Sequence, residues 1–236
     1  MRTSRADDVV EYILASIESG AFEIGGKLPG EGELAGLADA SRLTVREGVK
    51  TLAAQRVLTA VQGRGTFVNA VDKWLSVDAV MRMQQANPVD ILLQLFDVRS
   101  FIEVGAAERF APVVTDDQLA QLERQLDDMR RAHAATDVPT MTEADLAFHQ
   151  TILDGCQNPF IAATMQPLSR ALSEARRETS KLFQMREHAI EEHTKILRAL
   201  RERDPVKARR AMRSHMRQTR SDTRLFFDRP AGSATA

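Results

Sequence analysis

Asp145 and His149 stand four residues apart in Asp-Leu-Ala-Phe-His, so on a helix both side chains leave the same face and can share an ion. His193 precedes Asp204 by eleven residues and His215 follows it by eleven. If Arg203-Asp204-Pro205 joins two antiparallel helices, equal offsets at ~1.5 Å rise per residue set the two rings at one depth. Three imidazoles and a carboxylate then converge in a helical core. That donor set suits a borderline divalent ion, zinc or nickel, with a coordination position left for water or a ligand's carboxylate oxygen. A lone histidine on a helix is more often a hydrogen-bonded core or surface ring than a ligand, and His133 and His188 keep that ordinary reading. His188 and His193 are five apart, and the chain has no His-Glu-x-x-His, no Gly-rich phosphate loop and no Gly-x-Ser-x-Gly elbow. A binding site is therefore expected rather than a hydrolytic one.

The elements that must position these residues follow from periodicity and caps. Asn87-Pro88, Asn158-Pro159 and Asp204-Pro205 each set a capping side chain before a proline suited to the first helical turn, and Thr115-Asp-Asp-Gln118 has capping-box spacing. Between 88 and 228 no strand-like alternation interrupts the helical pattern. An antiparallel, all-α bundle is expected there, with a frayed tail over 229–236.

The first 70 residues have a different texture. Val9, Val10, Ile13, Leu14 and Ile17 predict a first helix stopped by Gly20, and Phe22, Gly25, Gly26 and Pro29 a turn. Residues 31–38 predict a short second helix, and Ser41 caps a third. On that third helix Arg42, Arg46 and Lys50 form a cationic stripe opposite Val45, Val49 and Leu52. Two β-prone runs, Val57 to Val61 and Thr66 to Val68, flank Gln62-Gly63-Arg64-Gly65, whose glycines allow a tight hairpin. The expectation is a winged helix-turn-helix over 1–70, a linker over 71–87 and a helical effector- and metal-binding domain over 88–228. The fold class is mainly α.

Composition narrows the function. The 236 residues are 43% hydrophobic, enough for packed cores, while a single Trp and a single Tyr argue against base-stacking platforms. One cysteine, Cys156, cannot form an intramolecular disulfide. With no apolar stretch near the roughly 20 residues that span a bilayer, the expectation is a cytoplasmic protein without membrane contact. Formal net charge is −1, and residues 1–70 hold eight Lys/Arg against nine Asp/Glu, so DNA affinity must come from local cation placement and from two copies acting together. The eight Lys/Arg between 201 and 220 read as a solvated helix face.

These motifs carry a resemblance. Gly26-Lys27-Leu28-Pro29, Glu33-Leu34-Ala35, Ser41-Arg42-x-Thr-Val-Arg46-Glu47 and Gly63-Arg64-Gly65-Thr66-Phe67-Val68 resemble the GntR family of bacterial winged helix-turn-helix regulators. Arg99-x-x-x-Glu103, Asp145-x-x-x-His149, Asn158-Pro159, Glu192-His193-x-x-Ile196 and Met212-x-x-His215 are similar to the all-helical, FCD-type ligand-binding domain of that family's FadR-like branch. The resemblance implies a two-fold homodimer on an inverted-repeat operator. It also implies a divalent metal held by Asp145, His149, His193 and His215, and a small carboxylate beside it met by Arg99 and Asn158. In DNA recognition it implies that Arg42, Thr44 and Arg46 meet the major groove and Lys50 the backbone, while Arg64 and Gly65 approach the minor groove. At Gly32 the family usually has an arginine, a phosphate contact that this chain lacks.

The expected function is a transcriptional regulator, a repressor of a metabolic operon, that is not an enzyme. Two other readings stay open: a metal-dependent enzyme acting on a small organic acid and fused to a DNA-binding domain, and a sensor for which the metal itself is the signal.

Overall fold

The computed structural model describes residues 4–84 and 88–227, with the side chains of Pro88 and Phe227 left aside. The expected cap at Asn87 and the tail over 229–236 lie outside the described residues. The chain divides into two compact units, Met1–Gln85 and Ala86–Ala236.

In the first unit α1 (Arg5–Glu18) starts at a capping box formed by Ser4 and Asp7. It buries Val9, Ile13, Leu14 and Ile17. Helix α2 (Glu31–Leu37) contributes Leu34 to the same core, and α3 (Arg42–Ala54) contributes Val45 and Leu52. Ser41 caps α3 as the sequence predicts, its hydroxyl accepting from the Thr44 amide at 3.1 Å. Strands β1 (Leu58–Val61) and β2 (Gly65–Val68) pair antiparallel, with Leu58 opposite Val68 and Val61 opposite Gly65. Gly63 and Gly65 take φ of 73° and 110°, which is why glycine serves at the hairpin tip.

Two features depart from the sequence expectation. Residues 25–28 are more than a turn, because Leu28 donates to the Thr66 carbonyl, Val68 to that of Gly26 and Gly25 to that of Val68, adding a third short strand-like rung to the wing. The segment 71–83 is not a free connector. A 3-10 turn (Val71–Lys73) and α4 (Val77–Met83) fold onto the first unit, where Trp74 and Ala79 enter the core and the Trp74 indole donates to the Asn69 carbonyl at 2.9 Å. One large aromatic side chain anchors the whole segment, a long-range effect that local periodicity does not carry.

The second unit is helical throughout its described residues: α5 (Pro88–Phe110), α6 (Asp116–Ala135), α7 (Val138–Gly155), α8 (Pro159–Met165), α9 (Ser169–Thr179), α10 (Phe183–Arg201) and α11 (Pro205–Phe227). The predicted caps at Thr115, Asn158 and Asp204 are all made. Helix α5 packs on α11 and α7, α6 on α7 and α10, and α10 on α11. Their shared core holds Phe110, Leu126, Met129, Phe148, Ile152, Ile196, Leu200 and Met212. The basic stretch 201–220 is a paired surface: Arg203 meets Asp116, Arg209 meets Glu108 and Arg220 meets Asp97.

Gly155 closes α7 against the fully buried Phe110, and a Cβ at that position would overlap the Phe110 ring. Gly155→Ala should therefore destabilise the bundle by about 1 to 3 kcal/mol, the usual cost of forcing a methyl into a packed core. Urea unfolding followed by far-UV circular dichroism measures it.

Candidate metal centre and nucleic-acid interface

The three histidines arrive from three helices, His149 from α7, His193 from α10 and His215 from α11. Their ring centroids lie 5.0, 5.1 and 4.6 Å apart for the pairs 149–193, 149–215 and 193–215. Among the described residues they form a group whose candidate ligand atoms are all within 4.8 Å of one another, and all three are buried. Asp145, expected as a fourth ligand, stands at the edge. Its Oδ1 is 3.2 Å from His193 Nε2 and 4.0 Å from His149 Nε2, and its Oδ2 is held in an ion pair by Arg176 of α9.

Hydrogen bonding fixes which ring nitrogen is available. His193 Nδ1 lies 2.6 Å from the Ala189 carbonyl, which can only accept, so the ring proton sits there and Nε2 carries the lone pair. His149 presents Nδ1 to Glu103 Oε2, and its Nε2 is 3.4 Å from an Arg99 nitrogen. Carboxylate and carbonyl partners of this kind orient metal-binding imidazoles. Glu103 in turn takes the Arg99 Nε at 2.7 Å, so α5 supplies a buried ion pair that braces the site.

Electrostatics explains why the cluster suits a cation. Burial pushes all three histidines below the ordinary value of 6.5; His193 is lowered further by His149, and His215 by His193 and His149. The rings are neutral. Burial works to raise the Glu103 carboxyl, but Arg99 and His149 outweigh it and hold the group well below the usual carboxylate range. The buried His193 Nε2 makes no hydrogen bond, and it faces Asp145 Oδ1 with no proton between them. Two opposed lone pairs at that distance repel, and a cation between them removes the repulsion. The residues present fit a divalent metal.

A sign follows for pH. Since the folded rings resist protonation while unfolded ones titrate near 6.5, the unfolded state gains protons first as pH falls. Chelator-treated protein should lose stability on going below about pH 6.5, by up to about 4 kcal/mol per pH unit if all three rings contribute. Melting temperatures at pH 7.5 and 5.5 test this; equal values would mean that the rings titrate freely.

Two cavities flank the cluster. The smaller, about 40 Å³, is lined by Phe96, Arg99, Asp145, Arg176, His188 and His215 among others. The larger, about 380 Å³, is lined by Glu103, His149, Leu146, Leu153, Met165 and Arg176 among others. Arg99 lines the smaller cavity. Asn158 does not: its side chain caps α8 by accepting from the Phe160 amide at 3.1 Å, and it lines neither cavity. An Asn before a helix-starting proline spends its acceptor on the cap. His188 bonds the buried Asp222 at 3.0 Å and His133 stacks on Phe183, so both stay outside the cluster.

Arg176 escaped the sequence reading. It lies in Glu-Ala-Arg-Arg-Glu beside the exposed Arg177, and nothing local distinguishes the two. Glu103 had a signal in its i, i+4 spacing from Arg99.

On the first unit Arg42, Arg46 and Lys50 are all exposed along α3. Arg46 is gripped by Glu31 of α2, Nε to Oε1 at 3.1 Å and the terminal nitrogen to Oε2 at 2.7 Å. Lys50 reaches Glu47 at 3.0 Å. The Thr44 hydroxyl is 2.8 Å from that of Ser41, inside the cap. Arg42 lies across Gly32, where a Cβ would come within 3.1 Å of its guanidinium. Arg64 is exposed at the wing tip over Phe67, next to Gly65. Among the described residues no helix is long and apolar enough to cross a membrane.

Comparison with known proteins places this arrangement. Residues 5–68 match the bacterial regulatory proteins, gntR family, and residues 94–218 match the FCD domain. The chain belongs to the GntR family. This GntR protein is 30% identical over 220 residues to the Bacillus subtilis HTH-type transcriptional regulator YcbG, covering 93% of this chain and 90% of that protein. It is 28% identical to the galactonate operon transcriptional repressor of Escherichia coli, covering 89% and 93%. A solved Streptococcus agalactiae GntR structure is similar at 31% identity with a TM-score of 0.50, covering 92% of this chain and 99% of that one. The chain is a transcriptional regulator with an FCD domain, and not an enzyme.

Proposed function

We propose that this GntR protein is a homodimeric repressor whose operator affinity is set by a small carboxylate bound beside a zinc or nickel ion in the FCD unit. The observation that carries the reading is the buried, proton-free face between His193 Nε2 and Asp145 Oδ1, set between two cavities that Arg176 lines. His149, His193, His215 and Asp145 would hold the ion, which supplies an anchoring point for an anionic oxygen. Arg99 adds a charge-assisted fork to the same carboxylate. The similarity to a galactonate operon transcriptional repressor supports repression as the output.

In the DNA-binding unit Arg42, Thr44 and Arg46 would read the major groove, Lys50 a phosphate, and Arg64 with Gly65 the minor groove. A nearly neutral reading unit binds weakly as a monomer, so the operator is a short inverted repeat with half-sites ~34 Å apart. The effector loosens binding by shifting the population between two states, and its reach is bounded by its differential affinity for them.

The test incubates zinc-loaded protein with sugar acids, hydroxy acids and dicarboxylates, following operator affinity and acid recovery together. One acid should weaken operator binding and return unchanged. Turnover of that acid, or operator affinity that tracks zinc and ignores every acid, would overturn the reading, and a monomer in sedimentation with operator DNA would remove the dimer.

A further inference from the structure

We propose that the effector is a dianion, and that Arg176 is the residue that selects for the second negative charge. The proposal rests on the metal-dependent sensor reading above and adds the charge class of the ligand. Around the three neutral imidazoles the buried charged side chains are Arg99 and Arg176, at 2% and 5% exposure, and Glu103 and Asp145, at 1% and 8%. Two positive and two negative charges balance. A divalent ion in the histidine cluster adds two positive charges that no member of this shell offsets. Charge left uncompensated at buried positions carries a large desolvation cost, and here it falls on the ligand to remove it. A monocarboxylate leaves one positive charge behind, whereas a dianion neutralises the site. Of the other charged groups that line the smaller cavity, Asp222 is bonded by His188 and Gln218 and Arg186 donates to the Ser180 and Lys181 carbonyls, and their opposite charges leave the count unchanged.

Arg176 is the one charged side chain common to the linings of both cavities. Its Nε is buried without a hydrogen-bond partner, and among the described residues its ion pair is with Asp145. Asp145 can serve a metal through Oδ1 while Oδ2 keeps Arg176, and the buried, unpartnered Nε is the donor left for an incoming anion. Arg99 is differently placed, because Glu103 already answers its charge at 2.7 Å. Without Arg176 the same count would leave a single positive charge, the requirement of a monocarboxylate. The larger cavity, at about 380 Å³, has room for an acid of four to six carbons.

The experiment uses zinc-loaded full-length protein and matched acids that share a skeleton and differ in one carboxylate: malate against 2-hydroxybutyrate, glutarate against valerate, galactarate against galactonate. Titration calorimetry gives the affinities, and metal analysis after each titration confirms that zinc stays bound. The best dianion should bind about tenfold or more tighter than its monoanionic partner. Arg176→Gln should abolish that preference, and Arg176→Lys should keep most of it. A monoanion that binds the wild type as tightly as its partner, or an Arg176→Gln protein with an unchanged ratio, overturns the proposal while leaving the sensor reading intact. Failure of every acid of either charge to bind removes both. Should Arg176→Gln fail to fold, the wild-type ratios and Arg176→Lys still decide.

Discussion

Purified His193→Ala or His215→Ala protein should carry little metal, and zinc should no longer raise its melting temperature. Because the ligands come from α7, α10 and α11, a bound ion ties three helices whose contacts otherwise depend on side-chain packing. At a free zinc concentration one hundred times its dissociation constant, native-state binding contributes about 2.7 kcal/mol. For a chain of this size that amounts to roughly 5 to 10 °C in melting temperature. Wild type should show that gap between zinc-loaded and chelated samples, and the two variants almost none. The comparison within each variant separates loss of the ion from the packing defect left by a missing buried ring. Asp145→Ala/His149→Ala should behave likewise. Near-zero metal in wild type, with unchanged melting, would mean that these histidines are ordinary core polar groups.

Arg46→Ala should weaken operator binding by about 1 to 3 kcal/mol, with relaxed preference at one base position, as expected when a bidentate base contact is lost. The Glu31 pair does not compensate for the arginine in the free protein, since both side chains are about half exposed and such a pair is worth at most about 1 kcal/mol. Glu31 holds the guanidinium toward α2 in the free protein, and a base edge has to replace that pair on binding. Lys50→Ala should weaken all sequences alike and flatten the salt dependence by about one counterion. Fluorescence anisotropy with specific and scrambled duplexes over a salt series reads both effects. Unchanged specific binding by Arg46→Ala would mean that α3 does not enter the groove as proposed.

Much of this molecule was legible from local pattern. Ser41, Thr115 and Asp204 cap helices where the spacing places them, because a cap is an interaction among residues three or four apart. His193 and His215 meet because a short turn at Glu202–Asp204 makes their depth a matter of counting. The winged element followed from glycines that tolerate positive φ at its tip. In each case the determining interaction is close in sequence, so local pattern was enough for the helical bundle, the winged helix-turn-helix and the shared depth of His193 and His215.

What needed the tertiary structure was every contact whose partner lies far along the chain. Trp74 draws 71–83 into the first core, and residues 25–28 pair with β2, although the first reads locally as a linker and the second as a turn. Asn158 makes the cap its spacing predicts, and only the structure shows that it lines neither cavity beside the rings. Arg176 looks like its exposed neighbour Arg177, yet α9 turns it inward to Asp145, some thirty residues away in sequence. The charge balance of the buried site is a sum over α5, α7 and α9, and no window of sequence contains all its terms. Burial decides it, because only where water is excluded must positive and negative side chains be counted one against another.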